Sequence, residues 1–358
     1  MQGEYSFLTA PYLSAKFPCI EAQENLCINS TVCPDEMLLE AIKQLKPNQK
    51  LVKDGLLIAA LCDSATLQAL PNDYFEAPSL KSIVFEEPLT QIKNNWDIFL
   101  FNATELRKDF QWICKNRTTQ SIQDRHTIVY NEEAIFIEKG VSTKAVILNA
   151  ESGPIYIGRN ATVQEGAIIK GPVAICEEVQ ISAGARISNA TTLGPYARAG
   201  GEINNSVMLG YSNKAHDGFM GNSVIGEWCN LGAGTNTSNL RNDYGKVKAW
   251  DERRKEFDTT DLQFCGLFMG DHSKCAINTM FNAGTMVGVS SNLFGVGFFD
   301  KVIPSFTRGM PGTRIQTYLL DKALEAAERM TMRRLIQLTK QDQEILTHIF
   351  LATSVYRN

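Results

Sequence analysis

His216 is the residue of this sequence best suited to acid–base chemistry. Only four histidines occur, and His216 lies between Gly210 and Gly221 with Asp217 directly after it. A neutral imidazole near pH 7 is an effective general base for an amine or hydroxyl group that attacks a thioester. Asp217, or a nearby carbonyl, is placed to fix the imidazole tautomer. We therefore take His216 as the candidate catalytic residue and Asp217 as a secondary candidate.

A second candidate is His272, within the segment Gly270-Asp271-His272-Ser273-Lys274. Two adjacent ligands are a weak metal signal, because zinc sites use three or four protein ligands. No metal site is therefore predicted. A turn of the chain accounts for this segment more simply, and we keep His272 only as a secondary site residue. The other two histidines, His126 and His348, are interpreted as structural.

A six-residue repeat predicts the elements that position these residues. An apolar residue recurs at every sixth position, and a small or β-branched residue follows it four positions later. Neither a helix nor a single amphipathic strand keeps such a period. A triangular solenoid does, because each hexapeptide provides one short strand and one corner. The apolar residues of the repeat are Ile157, Val163, Ile169, Ile175, Ile181, Ile187 and Leu193.

The repeat is interrupted twice. Its pattern resumes at Ile225 and again at Met269. Residues out of phase with the repeat predict loops that leave the prism, one over 210–221 and one over about 237–265. Functional residues commonly lie on loops that a rigid scaffold positions. The first interruption contains His216, which strengthens its candidacy.

Glycine content divides the chain into three regions. Of the 26 glycines, only Gly3 and Gly55 precede Gly140, and none follows Gly312. We predict an α/β domain over residues 1–135, a β-helix over 136–312 and a helical tail over 313–358. The elements predicted within them are helices at 35–42, 106–114 and 319–330, strands at 55–61 and 96–101, Pro34 in a first helical turn, and a last helix capped by Thr339 and Asp342.

Composition and charge argue against several classes of protein. The net charge is −4, with both signs interspersed, which argues against a nucleic-acid partner. The sequence has no run of 18 apolar residues and starts without a secretory signal, so we expect no membrane association. Nine cysteines without a C-x-x-C pair argue against a disulfide framework. We expect a cytoplasmic protein with a small-molecule partner.

The segments around His216 resemble a known family. The matching segments are Leu209-Gly210, Lys214-Ala215-His216, Ile225-Gly226, Asn230 to Thr235 and Ser238-Asn239. Over residues 150–300 they are similar to the acetyltransferase half of the bifunctional glucosamine-1-phosphate acetyltransferase/N-acetylglucosamine-1-phosphate uridyltransferase family. The whole chain also resembles Bacteroidetes-type sugar nucleotidyltransferases of this kind. That second likeness is carried by residues 210–239 and 263–274.

The resemblance implies a left-handed β-helix in which His216 is the catalytic base. It implies that Asn230 and Asn239 line the sugar and acetyl site, and that Lys214 of the matched segment binds substrate. Acetyl-CoA is the acyl donor that this family uses. The resemblance further implies a homotrimer, with each site between neighbouring prisms.

Several family residues have no counterpart here. The family's two tyrosines near the site align with Phe219 and Leu240. Its sugar-phosphate arginine and lysine are also missing, and Arg198 is the nearest substitute. Arg241 and Lys246, in the second predicted loop, are further substitutes. Solvated loop charges are the alternative interpretation of these last two.

The N-terminal region departs further from the family. Sugar nucleotidyltransferases hold nucleotide phosphates with a glycine-rich loop after the first strand. A region whose only glycines are Gly3 and Gly55 cannot form such a loop. We therefore expect a sugar-nucleotidyltransferase-like domain that is incomplete or degenerate.

Three hypotheses follow for function. The leading one is a transferase that moves an acetyl group from acetyl-CoA to a sugar phosphate or nucleotide sugar. The second is a sugar-1-phosphate uridylyl- or thymidylyltransferase, which requires Mg²⁺ and a missing N-terminal segment that completes the first domain. The third is a non-catalytic trimer that binds sugar nucleotides.

Overall fold

The computed structural model describes residues 4–68, 79–251, 254–314 and 316–357. These residues form two compact units. The smaller unit comprises the chain up to Lys93 together with Thr339–His348, and the larger comprises Asn94–Leu338 with Ile349–Asn358. The domain boundaries predicted at residues 135 and 312 rest on composition and resemblance. The division into two compact units does not test them, so they stay predictions.

The larger unit is a parallel β-helix. Ile155 pairs in parallel with Val173, and Val173 pairs with Thr191, so one coil takes 18 residues. The prism has three faces. The first face consists of Ile128–Tyr130, Ile147–Asn149, Ile168–Lys170, Arg186–Ser188, Glu202–Asn204, Phe219–Gly221, Asn236–Thr237 and Met280–Phe281.

The other two faces complete each coil, and the predicted fold class is confirmed. The second face consists of Ile135–Ile137, Ile155–Ile157, Val173–Ile175, Thr191–Leu193, Val207–Met208, Val224–Ile225, Phe268–Met269, Met286–Val287 and Val302–Ile303. The third face consists of Ser142–Thr143, Thr162–Val163, Gln180–Ile181, Arg198–Ala199, Asn213–Lys214, Asn230–Leu231, Lys274–Cys275, Asn292–Leu293, Thr307–Gly309 and Gln316–Thr317.

The apolar residues of the repeat fill the interior of the prism. Ile157, Ile169, Ile175, Ile181 and Leu193 have no exposed surface. Burial of each such side chain stabilises the fold by about 1.5–3 kcal/mol. Backbone N–H groups of one coil donate to carbonyls of the next, for example Gly158 N to Ile175 O at 2.6 Å. The repeat therefore sets both the core and the hydrogen bonding.

The prediction that residues 210–221 interrupt the prism is wrong. Residues 210–221 do not leave the prism, because Asn213–Lys214 continues the third face and Phe219–Gly221 the first. The six-residue phase is lost for two reasons. This coil takes 15 residues from Ala199 to its partner Lys214 instead of 18, and a lysine occupies the inward position where the pattern expects an aliphatic residue.

The second predicted interruption is observed. An antiparallel hairpin, Lys248–Asp251 with Glu256–Thr259, is inserted between the first-face strand Asn236–Thr237 and the second-face strand Phe268–Met269. Arg254 forms ion pairs with Asp251 and Asp258 across this hairpin.

A helix in the larger unit corrects a second prediction. Residues 96–101 were predicted as a strand, but α3 spans Asp97–Cys114 and also contains the helix predicted at 106–114. The apolar run forms the first turns of a helix that packs against the prism, and it does not join a sheet. Phe99 is buried, and its ring lies 6.3 Å from that of Phe268 on the second face, within a cluster that includes Val247 and Cys265.

The smaller unit contains a four-stranded sheet in the order β1 (Glu24–Ile28), β4 (Leu56–Asp63), β3 (Gln49–Lys53) and β5 (Lys81–Val84), in which only β3 and β5 pair in parallel. The strand predicted at 55–61 is β4, and the helix predicted at 35–42 is α1 (Glu36–Lys43). Asp35 caps α1 by accepting from Leu38 N at 2.9 Å, so Pro34 precedes the helix instead of lying in its first turn. The elements are β1 (Glu24–Ile28), β2 (Val32–Cys33), α1 (Glu36–Lys43), β3 (Gln49–Lys53), β4 (Leu56–Asp63), α2 (Ser64–Gln68), β5 (Lys81–Val84) and β6 (Thr90–Gln91), which pairs with β2.

The helix predicted at 319–330 is observed as α4 (Leu320–Met332), and the predicted last helix is observed as α5 (Lys340–Ala352). Thr339 and Asp342 form the predicted capping box: Thr339 N donates to the Asp342 carboxylate, and Asp342 N donates to Thr339 Oγ1. Within the described residues, none of the helices combines the length and apolar character that crossing a bilayer requires. Short 3₁₀ turns lie at Pro11–Leu13, Glu132–Ala134 and Ser354–Tyr356.

Candidate functional site

His216 lies on the corner that joins the third face to the first. Its side chain and that of Asp217 are exposed. Among the described residues, no hydrogen bond joins the two side chains, so Asp217 does not fix the imidazole tautomer in this chain alone. The ring nitrogens of His216 are therefore open to a ligand from outside the chain.

The backbone that carries His216 is tightly held. Ser182 Oγ donates to Ala215 O at 2.8 Å. A Cβ atom at Gly200 would lie 2.2 Å from that same carbonyl, so the neighbouring coil requires glycine there. Gly218 has φ +119° and packs against Thr235 O, which a Cβ atom would approach to 2.1 Å. The corner is thus a fixed platform for an exposed imidazole.

Lys214 does not reach the surface, and its interpretation as a substrate-binding residue is corrected. It is 1% exposed, and its Nζ donates to three backbone carbonyls: Gly200 O at 3.2 Å, His216 O at 3.0 Å and Gly218 O at 2.7 Å. Burial lowers its pKa to about 8. The contacts of the lysine are therefore with the backbone of the His216 corner and of the coil before it.

Arg198 and Asn230 lie in one outward-facing column of the third face. Arg198 pairs with Asn213 on the next coil, and Asn213 pairs with Asn230 on the coil after that. Arg334, which follows α4, donates to Asn213 Oδ1 at 3.3 Å and to a backbone carbonyl. Burial and the neighbouring guanidinium of Arg198 lower the pKa of Arg334. This half-buried pair of arginines is suited to a phosphate group.

Arg334 was not predicted from the sequence. It lies more than 130 residues from Arg198 in the chain, and no repeat or motif connects the two. The available signal was the Arg333-Arg334 doublet just after a predicted helix. Basic residues are common at the carboxyl ends of helices, where they interact favourably with the helix dipole, so the doublet alone does not indicate a phosphate site.

Asn239 lies at a different corner of the prism, between the first and second faces. It borders a groove of about 710 Å³. Asn239 Nδ2 donates to Asn222 Oδ1 at 2.7 Å, and amides and two phenyl rings dominate the lining. The other lining residues are Ala103, Arg107, Ser152, Gly171, Pro172, Asn189, Ala190, Asn204, Asn205, Phe219 and Phe264.

The structure therefore separates the predicted site residues into three places on one chain. His216 lies on the corner between the third and first faces, Arg198 and Asn230 lie on the third face, and Asn239 lies at the corner between the first and second faces. A single prism does not bring His216 and Asn239 together.

The cations of the second predicted loop are already paired. Lys246 Nζ lies 2.6 Å from Asp261 Oδ1, and both side chains are well exposed. Arg241 pairs with Asp243 and holds the pKa of that carboxyl well below its usual range. Among the described residues, Arg198 and Arg334 form no ion pair of this kind.

His272 occupies the corner between the second and third faces, in the left-handed conformation with φ +59°. Its ring is nearly parallel to that of Trp228 at 6.3 Å and extends a stack formed by Trp228, Tyr211 and Tyr196. Asp271 Oδ1 accepts from Glu227 N at 2.8 Å. The described residues contain no group of three or more metal-ligating side chains.

Comparison with known proteins shows which families the sequence resembles. Residues 1–118 match the family model for sugar nucleotidyl transferases. The bifunctional sugar-1-phosphate nucleotidylyltransferase/acetyltransferase of Sulfurisphaera tokodaii is 30% identical over 211 residues, which is 50% of this chain and 52% of that protein. The bifunctional protein GlmU of Methanocaldococcus jannaschii is 32% identical over 106 residues, 30% of this chain and 25% of that protein. Over the matched residues, this chain is similar to the bifunctional nucleotidyltransferase/acetyltransferases.

The chain thus spans from about a quarter to about a half of the length of these bifunctional relatives. The Sulfurisphaera tokodaii protein carries the name of a transferase, which agrees with the prediction of a transferase. A solved UDP-N-acetylglucosamine acyltransferase from Campylobacter jejuni aligns with 62% of this chain and 94% of its own, at 13% identity. Its TM-score of 0.32 is too low to support an argument.

Phe219 and Leu240 align with the two tyrosines of the family that the sequence resembles. The two residues lie in different surroundings. Phe219 lies in the groove beside Asn239, and Gly221 leaves room for both: a Cβ atom there would lie 2.5 Å from the Phe219 ring and 2.7 Å from the Asn239 amide. Leu240 instead forms a β-bridge with Phe264. The groove therefore keeps an aromatic surface but has no phenolic hydroxyl at these two positions.

Proposed function

We propose that this chain is a hexapeptide-repeat acyltransferase of sugar-nucleotide metabolism. It transfers an acetyl group from acetyl-CoA to a sugar phosphate or nucleotide sugar, with His216 as general base. The observation that carries the proposal is the exposed His216 imidazole on a corner that three carbonyl contacts of Lys214 hold in place. The acetyltransferase name of the Sulfurisphaera tokodaii relative supports the same reaction.

The reaction needs one proton acceptor and one oxyanion site. His216 takes the proton of the acceptor's amine or hydroxyl group as that group attacks the thioester carbonyl. The tetrahedral intermediate then collapses, and the imidazolium returns the proton to the departing CoA thiolate. The amides of Asn230 or Asn239 donate to the oxyanion. Arg198 and Arg334 bind a phosphate of the acceptor or of the acyl donor.

The separation of the site residues on one prism supports a site shared between copies. His216 and Asn239 lie at different corners, so a neighbouring copy has to supply the second residue if both contact one acceptor. We propose a homotrimer, because three prisms side by side place unlike corners against each other at every interface.

Replacement of His216 tests the assignment. We expect His216→Asn to lower the rate of acetyl transfer from radiolabelled acetyl-CoA to the best sugar-phosphate acceptor by about 10²–10⁴-fold, the usual contribution of a general base. His126→Asn is the matched control and should retain the wild-type rate. Wild-type transfer by His216→Asn would overturn the role of His216.

A second candidate function is nucleotidyl transfer, favoured by the match of residues 1–118 to sugar nucleotidyl transferases. The shortage of glycine before residue 140 opposes it. Release of pyrophosphate from UTP or dTTP with a sugar phosphate and Mg²⁺ would support this activity. A third candidate, a non-catalytic binding protein, is supported if nucleotide sugars raise the melting temperature while CoA never does.

A further inference from the structure

Lys214 occupies a position that is apolar on the neighbouring coils. The inward column of the third face contains Val163, Ile181, Ala199, Leu231, Cys275 and Leu293 on the coils around it. Transfer of an ammonium group into such an interior costs several kcal/mol unless hydrogen bonds compensate it. An aliphatic residue would fill the same space without that cost, so the charge is a feature to be explained.

The ammonium group is fully satisfied, and its partners are all carbonyls of corners. An ammonium has three N–H donors and no acceptor. Here the three donors meet Gly200 O, His216 O and Gly218 O at 2.7–3.2 Å. Two of these carbonyls belong to the corner that presents His216, and the third belongs to the coil before it. The lysine thus connects the His216 corner to the adjacent coil.

We propose that Lys214 is a positioning residue: its charged amino group fixes the backbone on both sides of His216 and so sets where the imidazole stands. The inference rests on the proposed function, because the place of the imidazole matters only if His216 acts as the base. The ionisable groups that interact electrostatically with the ammonium are the Asp217 carboxylate and, once ionised, the Cys275 thiol, whose own pKa burial raises. None of the described residues places a carboxylate in hydrogen-bond contact with it.

Loss of one proton would disturb this arrangement. A neutral amine has two N–H donors and a lone pair, while three carbonyl oxygens still face it. The lone pair repels one carbonyl, so the amine has to turn and the corner has to shift. Because burial lowers the pKa of Lys214 to about 8, this change falls within a range of pH at which the protein can be studied.

The test observes His216 directly and needs no substrate. Full-length protein carries ¹³C at Cε1 of its four histidines, and the His216 signal is assigned by its absence in His216→Gln. We expect the wild-type His216 signal to shift with a midpoint near pH 8, and Lys214→Met to lack that transition. Lys274 provides the matched control, because its Nζ donates to a single carbonyl, His272 O at 2.8 Å. Lys274→Met should keep the wild-type transition.

A His216 transition near pH 8 that survives in Lys214→Met, or that is absent from the wild-type protein, would overturn the proposal. If Lys214→Met does not fold, crystal structures of the wild-type protein at about pH 7 and pH 9.5 decide the question. A shift of the His216–Gly218 backbone at the higher pH supports the proposal, and an unchanged corner contradicts it.

The outcome is separable from that of the proposed function. If His216→Asn keeps full acetyl transfer while the Lys214-dependent transition is observed, the base assignment fails and the positioning role stands. If both stand, kcat of the wild-type enzyme should fall above about pH 8 with little change in KM, because the base is displaced while substrate contacts remain. Lys274→Met should show the same profile.

Discussion

At the scale of residues, three lysines show how differently one side chain is used. Lys246 pairs with Asp261 in solvent, Lys274 donates to one carbonyl of its own corner, and Lys214 lies inside the prism with three carbonyl partners. An exposed pair such as Lys246 with Asp261 contributes little stability, because water and salt screen it. A buried ammonium, in contrast, couples folding to pH.

The first prediction concerns that coupling. The pKa of Lys214 is about 8 in the folded protein and 10.5 without burial, so the unfolded chain holds this proton over the window between them. Since stability rises with pH wherever the unfolded state binds more protons, Lys214 adds stability as pH rises from about 8 to 10.5. The full gain is about 3 kcal/mol at 1.36 kcal/mol per unit.

The measurement is the free energy of unfolding by denaturant for the wild-type protein and Lys214→Met across this pH range. The difference, wild type minus variant, should increase with pH, because groups that do not interact with Lys214 titrate alike in both proteins and cancel. A difference that stays flat from pH 8 to 10.5 would contradict a buried, protonated Lys214.

At the scale of elements, α3 shows how tertiary packing decides between helix and strand. Trp96 and Phe99 belong to an apolar run that fits a strand by composition, yet the chain is helical from Asp97. The helix directs the Phe99 side chain into the cluster with Phe268. The next residue, Leu100, has 44% of its surface exposed.

The second prediction uses this pair of neighbours. Phe99→Ala should lower the free energy of unfolding of the larger unit by about 3–5 kcal/mol, because it leaves a cavity in a close-packed cluster. Leu100→Ala, a substitution in the same turn, should cost less than about 1 kcal/mol. Urea denaturation followed by tryptophan fluorescence measures both. Equal effects of the two substitutions would show that α3 does not bury Phe99.

The parts of the fold that follow from local pattern were predictable from the sequence. The six-residue spacing of Ile157 to Leu193 reflects an inward position that every regular coil repeats, and Thr339 with Asp342 forms a cap within a single turn. The coil of Lys214 was misjudged because it is short and has a charged residue at that inward position. Arg334 was missed because only the fold brings it beside Arg198.

At the scale of the whole molecule, the proposed site requires more than one chain. His216 and Asn239 lie at different corners of the prism, and the groove beside Asn239 does not contain His216. A site that uses both residues has to be completed by a second copy.

The third prediction follows from this requirement. The chain has a mass of 39.8 kDa, so a homotrimer should sediment with three times that mass, about 119 kDa. Analytical ultracentrifugation at micromolar concentration measures it. A monomer that transfers acetyl groups at full rate would show that one prism contains the whole site.

The most direct test of the proposed acyl transfer is a crystal structure of the wild-type protein with CoA and the best sugar-phosphate acceptor. We expect the acceptor's amine or hydroxyl within about 3 Å of an imidazole nitrogen of His216, or joined to it through one water. We also expect the CoA sulfur beside that group and Asn239 of a neighbouring copy against the acceptor. Both ligands bound elsewhere, with His216 still facing solvent, would contradict the claim that this chain is an acyltransferase with His216 as its base.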